Sequence, residues 1–367
     1  MTVTVGGTDA PSSHPSPLGV DSLGMWDATV ALPEQVEAAV SAARGVTDLP
    51  GHDRVENVVV LGMGGSGIAG DVLVAVAAPF MPVPVTVVKG YEPPDYVGTG
   101  SLVFAMSFSG NTEETLEAAA GAYEAGASLI VVAGGGALVR LAGEWDVPVV
   151  PVPTSIPQPR AALGAMAIPP LVLLEEIGLF PGALQWVDQA VDQLRVLRDE
   201  LVRPESRAED LARRIGRTIP LVHSSGDLGA AAALRWKAQI NENAKCPAFY
   251  NVYPELCHNE VAGWGQHGDA TRQLISLVNL RHDAEHPQVA RRFDLVVEVL
   301  REVVADVIEV RAAGEGDLAQ LLDLALLGDF VSLHLAGNEG IDPGPIPVLD
   351  EIKLQLTQGA DEPPDRA

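Results

Sequence analysis

Two short turns rich in hydroxyl groups and glycine are the part of this sequence best suited to hold a ligand. The later turn, residues 107–112, reads SFSGNT and lies between an apolar run and a helical pattern. The first N–H groups of a helix have no internal acceptor and lie at the positive end of its dipole. Ser107, Ser109 and Thr112 add hydroxyl donors there, and Gly110 lets the backbone come close. Because no cation lies within the turn, the pattern suits a phosphate monoester held by neutral donors.

A turn of the same kind comes earlier, at residues 62–71, which read GMGGSGIAGD and follow an apolar run at 58–61. Two such turns at the ends of neighbouring parallel strands would face one ligand between them. An ordinary helix cap is the commoner explanation of a serine or threonine at a helix start, but one cap needs only one hydroxyl. Three hydroxyls at one helix start therefore favour a ligand.

The earlier turn also matches G-x-G-x-x-G, the pattern of dinucleotide-binding folds, which is weak evidence by itself. Such a fold places an acidic residue at the end of its second strand to bind ribose hydroxyls, whereas here Lys89 follows Val88. A lysine at this place could favour the 2′-phosphate of NADP, so this alternative stays open. The three hydroxyls of the later turn favour a sugar phosphate, since a dinucleotide site does not need them.

Two stretches in the second half are dense in polar groups within an otherwise apolar chain. Residues 235–245 read RWKAQINENAK, and residues 253–264 read YPELCHNEVAGW. By composition alone, these stretches could be solvated helix faces or parts of an active site. His282 and His286 have the i,i+4 spacing of some metal ligands, but they lie in a charged loop before a proline. We interpret them as loop residues and predict no metal site.

Together these motifs resemble a known family. MGGSGIAGD followed by SFSGNTEET is similar to the sugar isomerase (SIS) domain, and more narrowly to the bifunctional phosphoglucose/phosphomannose isomerases of archaea and bacteria. That family carries E-N-A-K, found here at 242–245, and P-E-x-x-H-N-E, found at 254–260. Its P-x-R-A-x-G motif occurs with one extra residue, at 159–164. The resemblance covers almost the whole chain beyond the N-terminal arm.

The resemblance implies an aldose-ketose isomerase that needs no cofactor. Glu242 would be the base that moves a proton between C1 and C2 of an open-chain sugar phosphate through a cis-enediol. Arg160 would stabilise the charge of the enediolate, and Lys353 would act in ring opening. His258 would assist ring opening from the neighbouring subunit of a homodimer. The implied phosphate-binding residues are Gly65, Ser66, Ser107, Ser109 and Thr112.

A non-catalytic alternative stays open alongside the isomerase. In it, the chain is a sugar-phosphate sensor or the partner subunit of a neighbouring pathway enzyme, and its serine turns bind the ligand without a base. The E-N-A-K and H-N-E residues would then serve a dimer interface. The presence of Glu242, His258, Arg160 and Lys353 as a complete set favours the isomerase.

The composition of the chain limits which classes of molecule it can bind and indicates the compartment in which it works. A net charge of −26 argues against nucleic acid and anionic membranes as partners. Cys246 and Cys257 lack metal or disulfide spacing, so we expect free thiols in a reducing compartment. The first residues lack a basic stretch followed by an apolar run, and the apolar window at 168–180 is broken by proline and glutamate. We therefore expect a cytoplasmic protein that acts on a small-molecule sugar phosphate.

The elements that position these motifs follow an alternating strand and helix pattern. Short β-branched runs separated by helices predict an α/β fold with two subdomains of SIS type, each a parallel, doubly wound, flavodoxin-like sheet flanked by helices. The length of 367 residues suggests two such domains. We divide the chain into an N-terminal arm and helix (1–50), a first SIS domain with the phosphate cradle (51–203) and a second SIS domain with a C-terminal helix (204–367). Residues 288–308 are expected to be mostly helical.

Overall fold

The structure is a computed structural model that describes residues 16–359, so the first part of the predicted N-terminal arm lies outside the described residues. Its first sheet is parallel throughout, with the strand order β2-β1-β3-β4-β5. The strands are β1 Asn57–Leu61, β2 Val85–Val88, β3 Ser101–Ser107, β4 Ser128–Ala133 and β5 Val149–Pro151. Valine dominates them because both faces of the sheet are covered. The order is that of a flavodoxin-like fold, as predicted.

Helices connect these strands and cover both faces of the first sheet. The helices of the first half are α1 Met25–Val30, α2 Leu32–Ala43, α3 Gly64–Val76, α4 Glu113–Glu124, α5 Gly136–Trp145, α6 Leu163–Ile177 and α7 Ala183–Leu201. Pro169 and Pro170 lie inside α6, which continues through both prolines as one helix. A single 3-10 turn, Pro159–Ala161, precedes α6 and carries Arg160.

The second half repeats the scheme with a smaller parallel sheet of order β7-β6-β8-β9. Its strands are β6 Ile219–Ser225, β7 Phe249–Tyr253, β8 Ile275–Arg281 and β9 Asp306–Arg311. Its helices are α8 Arg207–Ile215, α9 Gly226–Asn243, α10 Gly268–Leu274, α11 Pro287–Leu300, α12 Asp317–Asn338 and α13 Pro347–Gly359. The pattern of two parallel sheets confirms the predicted fold class, although β7 and α8 were not predicted.

The prediction that residues 288–308 are mostly helical is wrong beyond Leu300. There α11 ends, and β9 pairs with β8 as the edge strand of the sheet. Its side chains alternate, since Ile308 and Val310 are buried while Glu309 and Arg311 are exposed. Neither glycine nor proline lies between the helix and the strand. The sequence therefore has no turn residue to indicate where the helical spacing of apolar residues ends and the alternation of a strand begins.

One apolar core extends between the two sheets. It includes Val60 of the first sheet, Val222 of the second and the apolar residues of α12, which packs against α7, α8 and α9. Among the described residues, α12 is long and apolar enough to cross a membrane, and its whole apolar window is buried inside the fold. A helix that is apolar on all sides is expected at the centre of a large core. The division at residues 203 and 204 stays our proposal.

Candidate active site

The two glycine- and hydroxyl-rich turns meet at the carboxyl edge of the first sheet. They follow β1 and β3, which are neighbouring strands. The Phe108 backbone N–H donates to Ser66 Oγ at 3.2 Å, so the turns are bonded to each other. Ser66 and Ser107 are buried, whereas Ser109 is partly open to solvent. We call this paired feature, residues 62–67 and 107–112, the cradle.

The hydroxyl groups of the cradle hold its shape and leave the helix N–H groups available. The Ser107 and Thr112 hydroxyls lie 2.9 Å apart, and the Gly110 N–H donates to Ser107 Oγ at 3.1 Å. Thr112 is the N-cap of α4, yet within the described residues no side chain caps the first turn of α3 or α4. The unpaired N–H groups at these two helix starts are suited to an anion. The prediction that Gly65, Ser66, Ser107, Ser109 and Thr112 bind phosphate is consistent with this geometry and stays a prediction.

Gly110 is the residue of the cradle that no other amino acid can replace. Its φ is +67°, and an added Cβ would lie 1.8 Å from the carbonyl oxygen of Gly135. The next residue, Asn111, accepts a hydrogen bond from the Ala137 N–H at 3.0 Å. The cradle is thereby seated against the start of α5.

We expect Gly110→Ala to destabilise the protein by roughly 2–4 kcal/mol, because it combines a positive φ with a collision against fixed backbone. Inorganic phosphate should also bind at least tenfold more weakly to the folded fraction. Urea unfolding and calorimetric titration with phosphate measure the two effects. Gly143→Ala is the matched control, since Gly143 is exposed in α5 with open space around it, and there the change should stabilise slightly. Unchanged phosphate affinity in folded Gly110→Ala would contradict the assignment of the cradle.

Arg160 lies directly beside the cradle. A Cβ added at Gly65 would come within 3.1 Å of the Pro159 carbonyl oxygen and 3.3 Å of the Arg160 nitrogen. Only 3% of Arg160 is exposed. Its Nε donates to Asn243 Oδ1 at 2.7 Å, and its Nη2 donates to the carbonyl oxygens of Pro343 and Gly344 at 2.5 and 2.7 Å. The guanidinium is therefore fixed by three acceptors, with its remaining edge turned toward Glu242.

Glu242 ends α9 and faces that free edge of the guanidinium. Its Oε2 lies 3.6 Å from Arg160 Nη1, and 30% of its side chain is exposed. Burial raises the pKa of the Glu242 carboxyl above its usual range, and the charge of Arg160 opposes the rise. A carboxylate with a raised pKa is the type of group that general base catalysis near neutral pH requires. The structure thus brings Glu242, Arg160 and the cradle together within one chain.

Lys245, the last residue of E-N-A-K, holds the backbone of the site. Its Nζ donates to the carbonyl oxygens of Glu242 and Asp342 at 2.8 and 2.9 Å. Its φ of +53° lies in the left-handed region, which turns the chain sharply after α9. Asn243 donates to Ser332 on α12 at 2.9 Å while accepting from Arg160. The motif therefore supplies one free carboxylate and two residues that fix its surroundings.

Arg235 is a site-supporting residue that the sequence analysis did not single out. It is buried, and its Nη2 donates to the carbonyl oxygen of Arg160 at 3.0 Å and to Asp329 Oδ2 at 2.6 Å. Gln239 donates to the other oxygen of Asp329 at 2.8 Å. Two signals could have revealed this network: the i,i+4 spacing of Arg235 and Gln239, and the carboxylates Asp323 and Asp329 inside the apolar α12, where a buried charge needs a partner.

His258 does not join this group within one chain. It lies just after β7, whose last residue Tyr253 pairs with Ser225 at the carboxyl edge of the second sheet. Glu242 is at the other edge, because α9 begins after Ser225 and runs back for 18 residues, about 27 Å. The contact of Cys246 Sγ with the Thr218 carbonyl oxygen, at 3.8 Å, places the end of α9 beside the start of β6. Glu242 and His258 therefore lie at opposite edges of the sheet.

Lys353 lies on α13, and its side chain is exposed. This helix begins at Pro347, shortly after the carbonyl groups of Pro343 and Gly344 that bind Arg160. The start of α13 therefore follows, three residues further on, a carbonyl group that binds Arg160. The apolar residues of α13 also face solvent, including Leu349 and Ile352. The role of Lys353 in ring opening stays a prediction.

The remaining candidates have structural partners. Lys89, which kept the dinucleotide alternative open, is ion-paired with Asp71 of α3 at 2.5 Å. His282 contacts the Ser225 carbonyl oxygen at 2.9 Å, and His286 accepts from the Gln288 N–H at the start of α11. Over residues 16–359, the structure has no group of three or more His, Cys, Asp or Glu placed to hold a metal ion.

Comparisons with known proteins agree with one another. Residues 204–356 match the family model described as the bacterial phospho-glucose isomerase C-terminal SIS domain. The bifunctional phosphoglucose/phosphomannose isomerase of Caldicellulosiruptor bescii is 33% identical over 341 residues, which are 91% of this chain and 99% of that protein. The Aquifex aeolicus protein with the same name is 34% identical, over 83% of this chain and 92% of its own.

Solved structures show the same fold at lower identity. The tagatose-6-phosphate ketose/aldose isomerase of Escherichia coli has a TM-score of 0.65 and 16% identity, over 90% of this chain and 98% of its own. The C-terminal domain of glucosamine-fructose-6-phosphate aminotransferase from Francisella tularensis has a TM-score of 0.65 and 17% identity, over 88% of this chain and 97% of its own.

Proposed function

This chain belongs to the family of bifunctional phosphoglucose/phosphomannose isomerases, and from that membership we propose that it interconverts glucose 6-phosphate and mannose 6-phosphate with fructose 6-phosphate. The observation that carries the proposal is the grouping of Glu242, Arg160 and the cradle within one chain. A sugar phosphate whose phosphate lies in the cradle can extend its first carbons toward the carboxylate.

In the proposed reaction, Glu242 removes the proton from C2 of the open-chain aldose. The electron pair of the C–H bond forms the C1–C2 double bond, and the carbonyl oxygen at C1 becomes the enediolate oxygen. Arg160 stabilises that negative charge, since its guanidinium is already fixed by three acceptors and need not reorganise. Glu242 then returns the proton to C1, and the proton of the C2 hydroxyl passes to the C1 oxygen, so that C2 becomes the ketone and C1 a CH2OH group. The proton balance closes within the site, and the step needs no redox cofactor.

We propose that the active form is a homodimer in which His258 comes from the second subunit. The positions of Glu242 and His258 at opposite edges of the second sheet support this, because one chain cannot place both beside the same sugar. His258 is also exposed, as a residue that acts on a neighbouring subunit must be before assembly. With Lys353 it would carry the proton transfers of ring opening.

We further propose that the reaction takes place in the cytoplasm, with neither nucleic acid nor a membrane as a partner. The net charge of −26 supports this, because it repels phosphate backbones and anionic lipid surfaces. The same charge means that a sugar phosphate must be held by local donors against the field of the whole protein. The uncapped helix starts of the cradle are such donors.

The direct test is incubation with fructose 6-phosphate in D2O, followed by proton NMR of the hexose phosphates. Glucose 6-phosphate and mannose 6-phosphate that carry deuterium at C2 are the expected products, and their ratio gives the epimer preference. Line broadening of the sugar phosphate without any product would overturn the proposal in favour of a sensor that only binds.

The raised pKa of Glu242 predicts where activity is lost in acid. A general base works only when deprotonated, so kcat/KM should fall as the pH drops through a pKa above the 4.5 of an ordinary glutamate. The pH profile of kcat/KM with fructose 6-phosphate measures this limb. A limb at or below 4.5 would show that burial does not control the carboxyl, and a different base would then be needed.

A further inference from the structure

Residues 254–267, between β7 and α10, carry His258 without a regular helix or strand to hold them. The segment consists of two short 3-10 turns, Glu255–His258 and Glu260–Gly263. Most of its side chains face solvent, and only Leu256 is fully buried against the second sheet. A residue that acts in catalysis must nevertheless be held to within about half an ångström. Something in this segment must therefore fix it to the sheet.

Glu260 is the polar residue of the segment that is tied to the sheet. Its Oε1 lies 2.8 Å from His223 Nε2, and its Oε2 accepts from Asn251 Nδ2 at 2.8 Å. His223 on β6 and Asn251 on β7 are register partners in neighbouring strands. The two oxygens of one carboxylate are thus bound by two adjacent positions of the sheet. This bidentate arrangement fixes both the position and the orientation of the Glu260 side chain.

The charge of Glu260 is stabilised where it lies. Burial by itself raises the pKa of this carboxyl, but hydrogen bonds from His223, Asn251 and Trp264 outweigh the burial and lower it. The carboxylate is therefore ionised at neutral pH and can only accept hydrogen bonds. His223 must then donate from Nε2, and its Nδ1 is buried without a partner among the described residues. This wholly buried histidine on β6 makes its one polar contact to Glu260.

Asn259 connects this anchor to His258. Its Oδ1 accepts from the Glu260 N–H at 2.6 Å, and its Nδ2 donates to Glu255 Oε1 at 2.9 Å. His258 therefore lies between Glu255 and Asn259, which are hydrogen-bonded to each other, and two positions before Glu260, which is bonded to the sheet. The orientation of the His258 backbone is therefore set by the position in which the sheet holds Glu260.

We propose that Glu260, held by His223 and Asn251, is a positioning residue of the isomerase. It fixes the turn of His258 at the carboxyl edge of the second sheet, and so sets the place at which His258 meets the substrate of the second subunit. The inference rests on the proposed function, because it takes the role of His258 in ring opening from there. It adds a residue that touches no substrate and acts through His258.

The test is a double-mutant cycle of Glu260→Gln with His258→Asn. Glutamine keeps the size of the side chain but loses the charge, and it must turn an NH2 group toward either the amide donor of Asn251 or His223, which would have to take its other tautomer. Alone, Glu260→Gln should lower kcat about 10–100-fold with less than a threefold change in KM, since the side-chain partners of Glu260 belong to the second sheet and not to the cradle. In the His258→Asn background it should have almost no further effect on kcat. Equal losses in both backgrounds would show a purely structural role and overturn the proposal.

Hydrogen exchange of the intact protein supplies a measurement that does not depend on activity. Glu260→Gln should increase amide exchange across residues 255–264 and leave α12 protected. Glu298→Gln is the matched control, because Glu298 is exposed on α11, and its exchange and kcat should equal those of the unmodified protein. If exchange across 255–264 is unchanged in Glu260→Gln, the anchor is not needed and the proposal fails. That outcome is separate from a failure of the isomerase assay in the unmodified protein, which would instead refute the proposed function.

Discussion

Replacement of Glu242 by glutamine should abolish turnover while the sugar phosphate still binds. General base catalysis contributes about 10²–10⁴-fold, so we expect kcat to fall by roughly 10³-fold or more. The affinity for fructose 6-phosphate should change less than about threefold, because the phosphate is held by the cradle and not by the carboxylate. Deuterium incorporation by NMR and calorimetric titration measure the two quantities.

The Glu242→Gln protein should also stay folded, which makes the result interpretable. Arg160 loses an ion-pair partner but keeps its hydrogen bonds to Asn243, Pro343 and Gly344. No buried charge is therefore left without acceptors. Glu176→Gln is the matched control, since Glu176 is exposed on α6, and it should leave kcat unchanged. Joint loss of binding and turnover in Glu242→Gln would show that the carboxylate holds the structure of the site and is not the base.

Arg160→Lys is the second change with a large expected effect. A lysine has one compact ammonium group, which cannot reach Asn243, the two carbonyl groups and the enediolate from one position. We expect kcat to fall about 10²–10³-fold, the range observed when a donor to a developing oxyanion is removed. Because only 3% of Arg160 is exposed, the free energy of unfolding should also fall by about 2–5 kcal/mol.

Replacement of Arg160 by a neutral residue should also change the pH dependence of kcat/KM. The charge of Arg160 lowers the pKa of Glu242 against the effect of burial. In Arg160→Gln that opposition is gone, so the acid limb of kcat/KM should move to higher pH. Arg140→Gln is the matched control, since Arg140 is exposed on α5, and the acid limb of its kcat/KM profile should not move. If Arg160→Lys were destabilised with full kcat per folded molecule, the guanidinium would be structural only.

The parts of the site that are formed by residues close in the sequence could be predicted. The parts formed by residues far apart in the sequence could be predicted only in part. The bond between Ser107 and Thr112 spans five residues, and the free N–H groups at the starts of α3 and α4 follow from the helical pattern after each turn. By contrast, Arg235 and Asp329 are 94 residues apart, and neither helix by itself indicates which residue pairs with its buried charge. Their pairing depends on how α9 packs against α12, which no local pattern specifies.

By itself, the sequence determined the two parallel sheets, the cradle and the candidate residues that its motifs carry. The sheets and the cradle follow from rules that act within a few residues: the period of apolar side chains, the unpaired N–H groups of a helix start and the turn conformation at Gly110. The roles of the candidate residues are implied by the family that their motifs resemble. Only the tertiary structure decided that Arg160 reaches Asn243 over 83 residues, that burial raises the pKa of Glu242, and that His258 lies at the far edge of the sheet. The reason is physical. Burial and long-range electrostatics depend on which elements the crossovers bring into contact, and β7, which runs between two motifs that are close in the sequence, places them at opposite ends of the sheet.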